Sequence, residues 1–294
     1  MPAARNHKNL VVVRAGDGSL HERWLGTMRS WDLIVSYFGS DAARFKGEDS
    51  LRVDCPGGKW EGLYQLFTSQ PHLLETYSYI WLPDDDIDAD WTTINKLFAT
   101  MAEHDLNLAQ PSLHPESYFH HHVTLQNPAF RLRYTNFVEL MVPCFRADFL
   151  RSLVPLFAGR RYGWGIDWVW AYLMEQPSFR TAVIDACAVV HTRPYQVGSL
   201  YTQPGAPDPE QEKRELLAQL GVDEDPPNLF AYAALSRQGR PLTARSFTAL
   251  AKAGGSATAL RVYKTPDDRR AFLDYLLENC IRPSHQLEPS SSPF

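Results

Sequence analysis

Several common signatures are missing from this chain, and each absence argues against a class of function. Only four cysteines occur in 294 residues, and none form a CxxC pair, which argues against a zinc knuckle. No GxGxxG follows the first predicted strand, and GxxxxGK[ST], GxSxG and HExxH are absent. Dinucleotide-binding, P-loop, serine-hydrolase and zinc-protease functions therefore lack support.

The chain also lacks an excess of positive charge and a long apolar run. A net charge of −5 argues against bulk attraction to nucleic acid or anionic lipid. No window approaches the roughly 20 apolar residues of a membrane span, and the first residues carry no apolar signal core. We expect a cytoplasmic protein with reduced thiols, no nucleic-acid partner and no transmembrane segment.

The first two thirds of the chain alternate between β-branched apolar runs and amphipathic stretches. This alternation predicts an α/β domain with a largely parallel sheet, whose ligands bind beyond the carboxyl ends of the strands. The predicted strands are 9–14, 31–38, 79–82, 106–110, 135–142 and 181–191. The predicted helices are 60–74, 90–104, 146–157 and 163–174.

The alternation of strands and helices ends at about residue 192. Residues 202–209 are rich in proline and are typical of a linker or surface loop. Helices are predicted at 210–220, 244–253 and 266–280, followed by a disordered tail at 286–294.

Three consecutive carboxylates, Asp84, Asp85 and Asp86, follow the short apolar strand at 79–82. Clustered carboxylates repel each other, and a bound Mn²⁺ or Mg²⁺ would relieve that cost. A solvated turn with an acidic helix cap is the alternative. The loops that carry Asp17 and Asp41 also follow predicted strands, so we expect them to converge on the same edge of the sheet.

Two further carboxylates stand in unusual contexts. Asp167 follows two glycines at the start of a helix, where it could accept a proton or simply cap the helix. Glu139 lies inside an apolar predicted strand, which indicates either a pocket role or a buried pair with Arg131 or Arg133.

Histidine occurs at two notable places. His191 ends the last predicted strand and could bind a metal or be structural. The side chains of the three consecutive histidines at 120–122 point in different directions. We therefore expect at most one of them, such as His121, to touch a ligand.

Together these motifs resemble a bacterial and plant family known only as domain of unknown function number seven hundred and seven. Order and spacing match over roughly residues 8–200. The resemblance is carried by an acidic D-x-D at 80–87, A-Q-P-S-L at 109–113, F-V-E-L-M-V-P at 137–143, G-W-G-I-D at 163–167 and D-x(5)-H at 185–191.

The same order is similar to glycosyltransferases of the A-type fold, a single nucleotide-diphosphate-sugar-binding α/β domain. The resemblance implies a metal held by Asp84, Asp86 and His191, and cofactor contacts from Arg14, Asp17, Asp41 and Asp85. It implies an acceptor site at Trp164, Gly165 and His121, with Asp167 as base and Glu139 as its rival. Among glycosyltransferases of this fold, the galactosyltransferases carry two acidic residues at the position where this chain has Asp167 alone.

The resemblance therefore implies transfer of a sugar from a nucleotide-sugar donor to a sugar or glycan acceptor, with Mn²⁺ or Mg²⁺ as cofactor. The implied catalytic domain spans 8–200, and a helical extension spans 201–285. A non-catalytic sugar- or partner-binding module on the same fold is one alternative. A nucleotidyltransferase, which would release diphosphate, is another.

Overall fold

A ten-stranded mixed sheet lies at the centre of the described part of the chain. The computed structural model describes residues 7–47, 50–173, 178–194, 208–222 and 228–283. The strands are β1 (Asn9–Ala15), β2 (Trp31–Tyr37), β3 (Leu51–Asp54), β4 (Tyr79–Trp81), β5 (Ile87–Asp88), β6 (Leu108–Leu113), β7 (Phe130–Thr135), β8 (Cys144–Arg146), β9 (Thr181–His191) and β10 (Ala231–Ser236). Their order is β10-β7-β9-β6-β8-β4-β1-β2-β3, and β5 pairs with β9.

Helices cover the sheet and connect its strands. They are α1 (Lys59–Ser69), α2 (Leu73–Thr76), α3 (Trp91–Glu103), α4 (Ala147–Leu153), α5 (Ile166–Leu173), α6 (Pro209–Leu220), α7 (Ala244–Val262) and α8 (Pro266–Tyr275). Short 3₁₀ segments lie at His21–Trp24, His122–Thr124 and Val154–Phe157, and a π-helical turn lies at Leu276–Cys280. Asp90 caps α3 as predicted, because its Oδ1 accepts a hydrogen bond of 2.7 Å from the Thr93 amide.

The apolar run of β1 is explained by burial on both faces. Val11 and Val13 belong to the core on one side of the sheet, while Leu10 and Val12 belong to the core on the other side. A central parallel strand covered on both faces needs such a continuous apolar sequence.

Parallel pairing is concentrated on one side of the sheet. Strands β4, β1, β2 and β3 are mutually parallel, so their carboxyl ends lie at one edge. Strands β7, β8 and β10 pair antiparallel to their neighbours, whereas β6 and β9 are parallel. The predicted α/β class is confirmed, and the sheet is mixed on the side remote from β1.

The strand predicted at 135–142 is wrong in position. Strand β7 ends at Thr135, and a loop follows it. This loop is held by the acidic segment, since the Asp84 amide donates to the Met141 carbonyl at 2.7 Å and the Trp81 indole donates to the Val142 carbonyl at 3.0 Å. Strand alternation therefore does not place Glu139, which lies in this loop.

The predicted C-terminal extension is not wholly helical. Strand β10 pairs antiparallel with β7 and forms the end of the sheet, while α7 and α8 pack nearby. The predicted boundary at residue 200 stays a prediction, because residues 195–207 lie outside the described ranges. The predicted tail at 286–294 and most of the predicted linker lie outside them too. Among the described residues, no helix is both long enough and apolar enough to span a bilayer.

Candidate active site

A cavity of about 1070 Å³ opens at the carboxyl ends of β1, β2, β3 and β4. The structure brings eleven of the twelve predicted site residues to its wall; only Asp41 is not among the lining residues. The eleven are Arg14, Asp17, Asp84, Asp85, Asp86, His121, Glu139, Trp164, Gly165, Asp167 and His191. Residues as far apart in the sequence as Arg14 and His191 thus meet at the edge where an α/β sheet binds ligands.

Asp86 and His191 form a buried polar pair in the cavity wall. The Nε2 atom of His191 lies 3.3 Å from Oδ2 of Asp86, and its Nδ1 lies 2.8 Å from the Tyr118 carbonyl. Burial lowers the pKa of His191, but the hydrogen bond and charge of Asp86 outweigh it and raise that pKa to about 8. The carbonyl fixes the ring so that Nε2 faces the acidic loop, an orientation common in metal-binding histidines.

Asp84 is paired with a lysine that the sequence motifs did not indicate. The Nζ atom of Lys59 lies 2.6 Å from Oδ1 of Asp84 and 2.8 Å from the Leu140 carbonyl. Burial raises the pKa of Asp84 and lowers that of Lys59, while their attraction opposes both shifts. Lys59 thereby neutralises one carboxylate and ties α1 to the loop after β7.

Asp85 connects three loops around the cavity. Its Oδ2 accepts a hydrogen bond of 2.8 Å from the Gly16 amide, and its Oδ1 lies 3.2 Å from Nη1 of Arg193. Arg193 also donates to the Gly18 carbonyl at 2.7 Å. Burial raises the pKa of Asp85 to about 6, against these favourable contacts. The side chain therefore fixes the loop after β1 against the end of β9.

Asp17 lines the cavity, but Asp41 does not. Asp17 accepts hydrogen bonds from the Tyr37 hydroxyl and, at 3.0 Å, from the Ser40 hydroxyl. The Tyr37 contact holds the pKa of Asp17 at about 2. The Asp41 carboxylate instead accepts from the Ala43 amide at 2.9 Å, within its own turn. Asp41 is thus a turn residue, as its exposure also indicates.

Arg14 is a buried residue of the cavity wall that links three strand ends. Its guanidinium donates to the Ser36 hydroxyl, the Cys55 carbonyl and the Gly57 carbonyl, at 2.8, 2.8 and 2.7 Å. Burial lowers the pKa of Arg14. These bonds join the ends of β1, β2 and β3, so Arg14 shapes the wall as well as lining it.

Glu139 is 4% exposed and lines the cavity from the loop after β7. Its amide donates to Oε1 of Gln110 at 2.7 Å, which fixes the backbone there. The alternative partners proposed from the sequence are occupied elsewhere. Arg133 forms a bidentate ion pair with Asp185, and Arg131 pairs with Glu103.

The Gly163–Asp167 segment, beside α1, forms a second part of the cavity wall. Gly163 and Gly165 have φ values of +75° and +91°, a region that favours glycine. A Cβ on Gly163 would lie 2.1 Å from the Trp60 ring, so the backbone must approach α1 closely. Trp164 lies between the glycines and borders the cavity.

Asp167 sits in the first turn of α5 and is 7% exposed. Burial raises its pKa to about 7, although the Trp168 amide donates to its Oδ1 at 3.0 Å. A carboxyl that titrates near neutral pH in a cavity has the acidity that a general base needs.

The histidine triplet borders the cavity with two of its members. His120 and His121 line it, whereas His122 packs on Phe272 and Tyr275 of α8. Burial lowers the pKa of His121 to about 3, so its ring is neutral and packs against Phe137 at 4.6 Å.

Sequence reasoning missed five charged residues of the cavity wall, namely Lys59, Arg161, Arg193, Glu210 and Lys213. It also missed Glu212, which contacts the Arg161 amide. Lys59 follows two glycines at the start of an amphipathic helix, which is the only local signal it carries. Its partner Asp84 lies 25 positions away, and no short motif links them.

Known proteins give a family match and distant structural likenesses. A model of the family described as "Protein of unknown function (DUF707)" matches residues 64–134. The predicted resemblance is thus confirmed over the segment that contains β4, the acidic loop, α3 and β6. No curated protein matches the chain.

Solved structures of sugar transferases superpose on the chain at low identity. S. aureus TarS 1–349 in complex with UDP-GlcNAc is 12% identical, over 91% of this chain and 86% of that one, with a TM-score of 0.47. Glucosyl-3-phosphoglycerate synthase from Mycobacterium tuberculosis, in complex with Mn²⁺ and UDP-glucose, is 14% identical, over 76% and 82%, with a TM-score of 0.46. Both TM-scores lie below 0.5, and these likenesses carry no conclusion about function.

Proposed function

We propose that the protein is a metal-dependent glycosyltransferase that moves a sugar from a nucleotide-sugar donor to a sugar or glycan acceptor. The observation that carries the proposal is the meeting of Asp86 and His191, 105 positions apart, at the strand ends in the cavity that Asp167 also lines. The cavity therefore has an acidic, imidazole-containing wall for a metal-bound diphosphate and a second wall with a candidate base.

The residues at the acidic wall fit a divalent cation. Oδ1 of Asp86 is buried and has no hydrogen-bond partner among the described residues, and Nε2 of His191 faces the same carboxylate. Among those residues, no group of three or more His, Cys, Asp or Glu side chains is arranged to hold a metal. Mg²⁺ commonly uses one or two carboxylates and takes its remaining ligands from substrate phosphates and water.

Asp86 and His191 would hold the cation together with Asp84, one oxygen of which accepts a hydrogen bond from Lys59. Bound there, Mn²⁺ or Mg²⁺ supplies Lewis-acid stabilisation of the leaving diphosphate. Lys59 and Arg193 add positive charge at the same wall and favour binding of a nucleoside diphosphate.

The remaining predicted residues divide between the two walls. Asp17 and the buried Arg14 border the end where the base and ribose would lie. On the other wall, Trp164 offers an aromatic face for an acceptor sugar. Asp167 would take the proton from the acceptor hydroxyl, and Glu139, which lines the same cavity, is the rival base.

Calorimetry with UDP, GDP and CDP, each with and without Mn²⁺, tests the donor site. We expect at least one nucleotide to bind in a Mn²⁺-dependent manner. Absence of such binding by folded protein would overturn the proposal. Product analysis separates it from the alternatives, because a nucleotidyltransferase releases diphosphate and a binding module releases nothing.

A further inference from the structure

Helix α6 contacts the wall that carries Asp167 through one buried carboxylate. Glu212 is 7% exposed, and its oxygens accept hydrogen bonds from the amides of Arg161, Tyr162 and Gly163. The distances are 2.8, 3.1 and 2.6 Å respectively. Three successive amides around one anion form a nest, an arrangement that fixes a loop strongly.

The next residue of α6 holds the other end of the same loop. A Cβ on Gly165 would lie 2.9 Å from Cγ of Lys213, and the Lys213 ammonium lies 4.5 Å from the Trp168 ring. Glu212 and Lys213 therefore contact the segment on both sides of Trp164.

Helix α1 supports the loop from the opposite direction. A Cβ on Gly58 would lie 2.1 Å from the Arg161 carbonyl oxygen, and Trp60 fills the space beside Gly163. The loop is thus enclosed between α1 and α6, and it leads directly into the first turn of α5. That turn carries Asp167, whose place in the cavity depends on where the loop ends.

We propose that Glu212 is a positioning residue for the acceptor side of the site, so that α6 is part of the active site. This inference rests on the proposed function for its catalytic meaning. Without the carboxylate, three amides lose a charged acceptor, and the start of α5 is free to shift. A displacement of about 1 Å of a reacting group costs on the order of 100-fold in rate.

The test compares Glu212→Gln with Glu215→Gln, an exposed glutamate on the same helix whose carboxylate accepts only a hydrogen bond from Gln211 among the contacts described. Amide hydrogen exchange is measured at Tyr162 and Gly163, and also at Ile166 and Val169 in the first turn of α5. We expect Glu212→Gln to speed exchange at all four amides by at least about tenfold, whereas Glu215→Gln leaves them unchanged.

Acceleration confined to Tyr162 and Gly163 would overturn the proposal, because Asp167 would then keep its place. If Glu212→Gln does not fold, Glu212→Asp is measured instead. The shorter carboxylate is expected to give a smaller acceleration at the same four amides, and wild-type exchange at Ile166 and Val169 would again overturn it.

Activity supplies a second readout. Hydrolysis of UDP-, GDP- and CDP-hexoses is followed alongside the dissociation constant of the nucleotide with Mn²⁺. We expect Glu212→Gln to slow hydrolysis about 10- to 100-fold and to change nucleotide affinity less than twofold. If the wild-type protein does not bind any of the nucleotides, the proposed function is wrong. The hydrogen-exchange measurement then still decides whether Glu212 positions the start of α5.

Discussion

The two walls of the cavity hold their carboxylates in opposite ways. On the acidic wall, each of three neighbouring aspartates has its own partner: Lys59 for Asp84, Gly16 and Arg193 for Asp85, and His191 for Asp86. On the other wall, Asp167 accepts from the adjacent Trp168 amide, and burial raises its pKa to about 7. Each aspartate of the acidic wall thus has a partner from another element, whereas Asp167 accepts from the amide of the next residue, and burial raises the pKa of Asp84 and Asp85 as well as that of Asp167.

The largest expected effect of breaking this contrast is at Asp167. Asp167→Asn keeps the acceptor for the Trp168 amide but removes the base, so kcat for transfer should fall about 10²- to 10⁴-fold. Binding of nucleotide with Mn²⁺ should persist within about twofold. In the wild-type protein, kcat should rise with pH through about 7, as Asp167 loses its proton.

Asp167 also links stability to pH. Because its pKa is raised from 3.8 in the unfolded chain to about 7, the folded state binds more protons between these values, and stability falls as pH rises. Asp167→Asn should therefore increase the free energy of unfolding at pH 8 by up to about 4 kcal/mol, and have little effect at pH 3.5. Urea denaturation at both pH values measures this; equal effects would contradict the burial of an ionised carboxyl.

On the acidic wall, Asp86→Ala should have the largest effect. It removes the carboxylate nearest His191, so the affinity for nucleotide with Mn²⁺ should fall about 100-fold or more. Calorimetry checks this, with Asp88→Ala as control, because Asp88 lies outside the cavity and pairs with Arg23 at the surface. Equal losses in both variants would show that the cavity wall has no special role.

Lys59→Met tests whether Asp84 depends on its own cation. Loss of the ammonium leaves Asp84 without its hydrogen-bonded cation, so we expect a destabilisation of about 2 kcal/mol, reduced by the partial exposure of the carboxylate. The double variant Lys59→Met/Asp84→Asn should recover most of it. A double-mutant cycle by urea denaturation measures the coupling, and strictly additive effects would contradict the pairing.

Asp41→Ala should have the smallest effect. Asp41 was predicted to bind the cofactor, but its carboxylate caps its own turn and does not line the cavity. Nucleotide affinity should change less than about twofold, in contrast to Asp86→Ala. A loss of tenfold or more would restore Asp41 to the donor site.

The local sequence pattern was sufficient to predict strands whose side chains pack in the core of the sheet. The apolar runs of β1, β2 and β9 and the position of the acidic string after β4 were predicted nearly to the residue. It failed at the loop after β7, because the apolar run 137–142 resembles a strand although its carbonyls bind Trp81, Lys59 and the acidic loop. Strand β7 contains two arginines, which do not suggest a buried strand. Arg133 can be buried there because Asp185, 52 positions away in the sequence, forms an ion pair with it.

The same limit applies to the site. Asp86, His191 and Asp167 carry motif signals, and the structure brings them to one cavity. Lys59 and Glu212 act through partners 25 and about 50 positions away, and no periodicity or short motif encodes such contacts. Charged residues whose partners are distant in the sequence are thus the part of a site that sequence patterns miss.

The pairing of β10 with β7 has a consequence for protein synthesis. Strand β7 ends 101 residues before Ser236, the last residue of the strand that pairs with its edge, and is translated that much earlier. Until then the nascent chain exposes an open strand edge on the ribosome, the kind of surface that recruits other chains and leads to aggregation. A recombinant fragment that stops near residue 200 would keep that edge permanently, so expression trials of the isolated first two thirds should include residues through the end of β10.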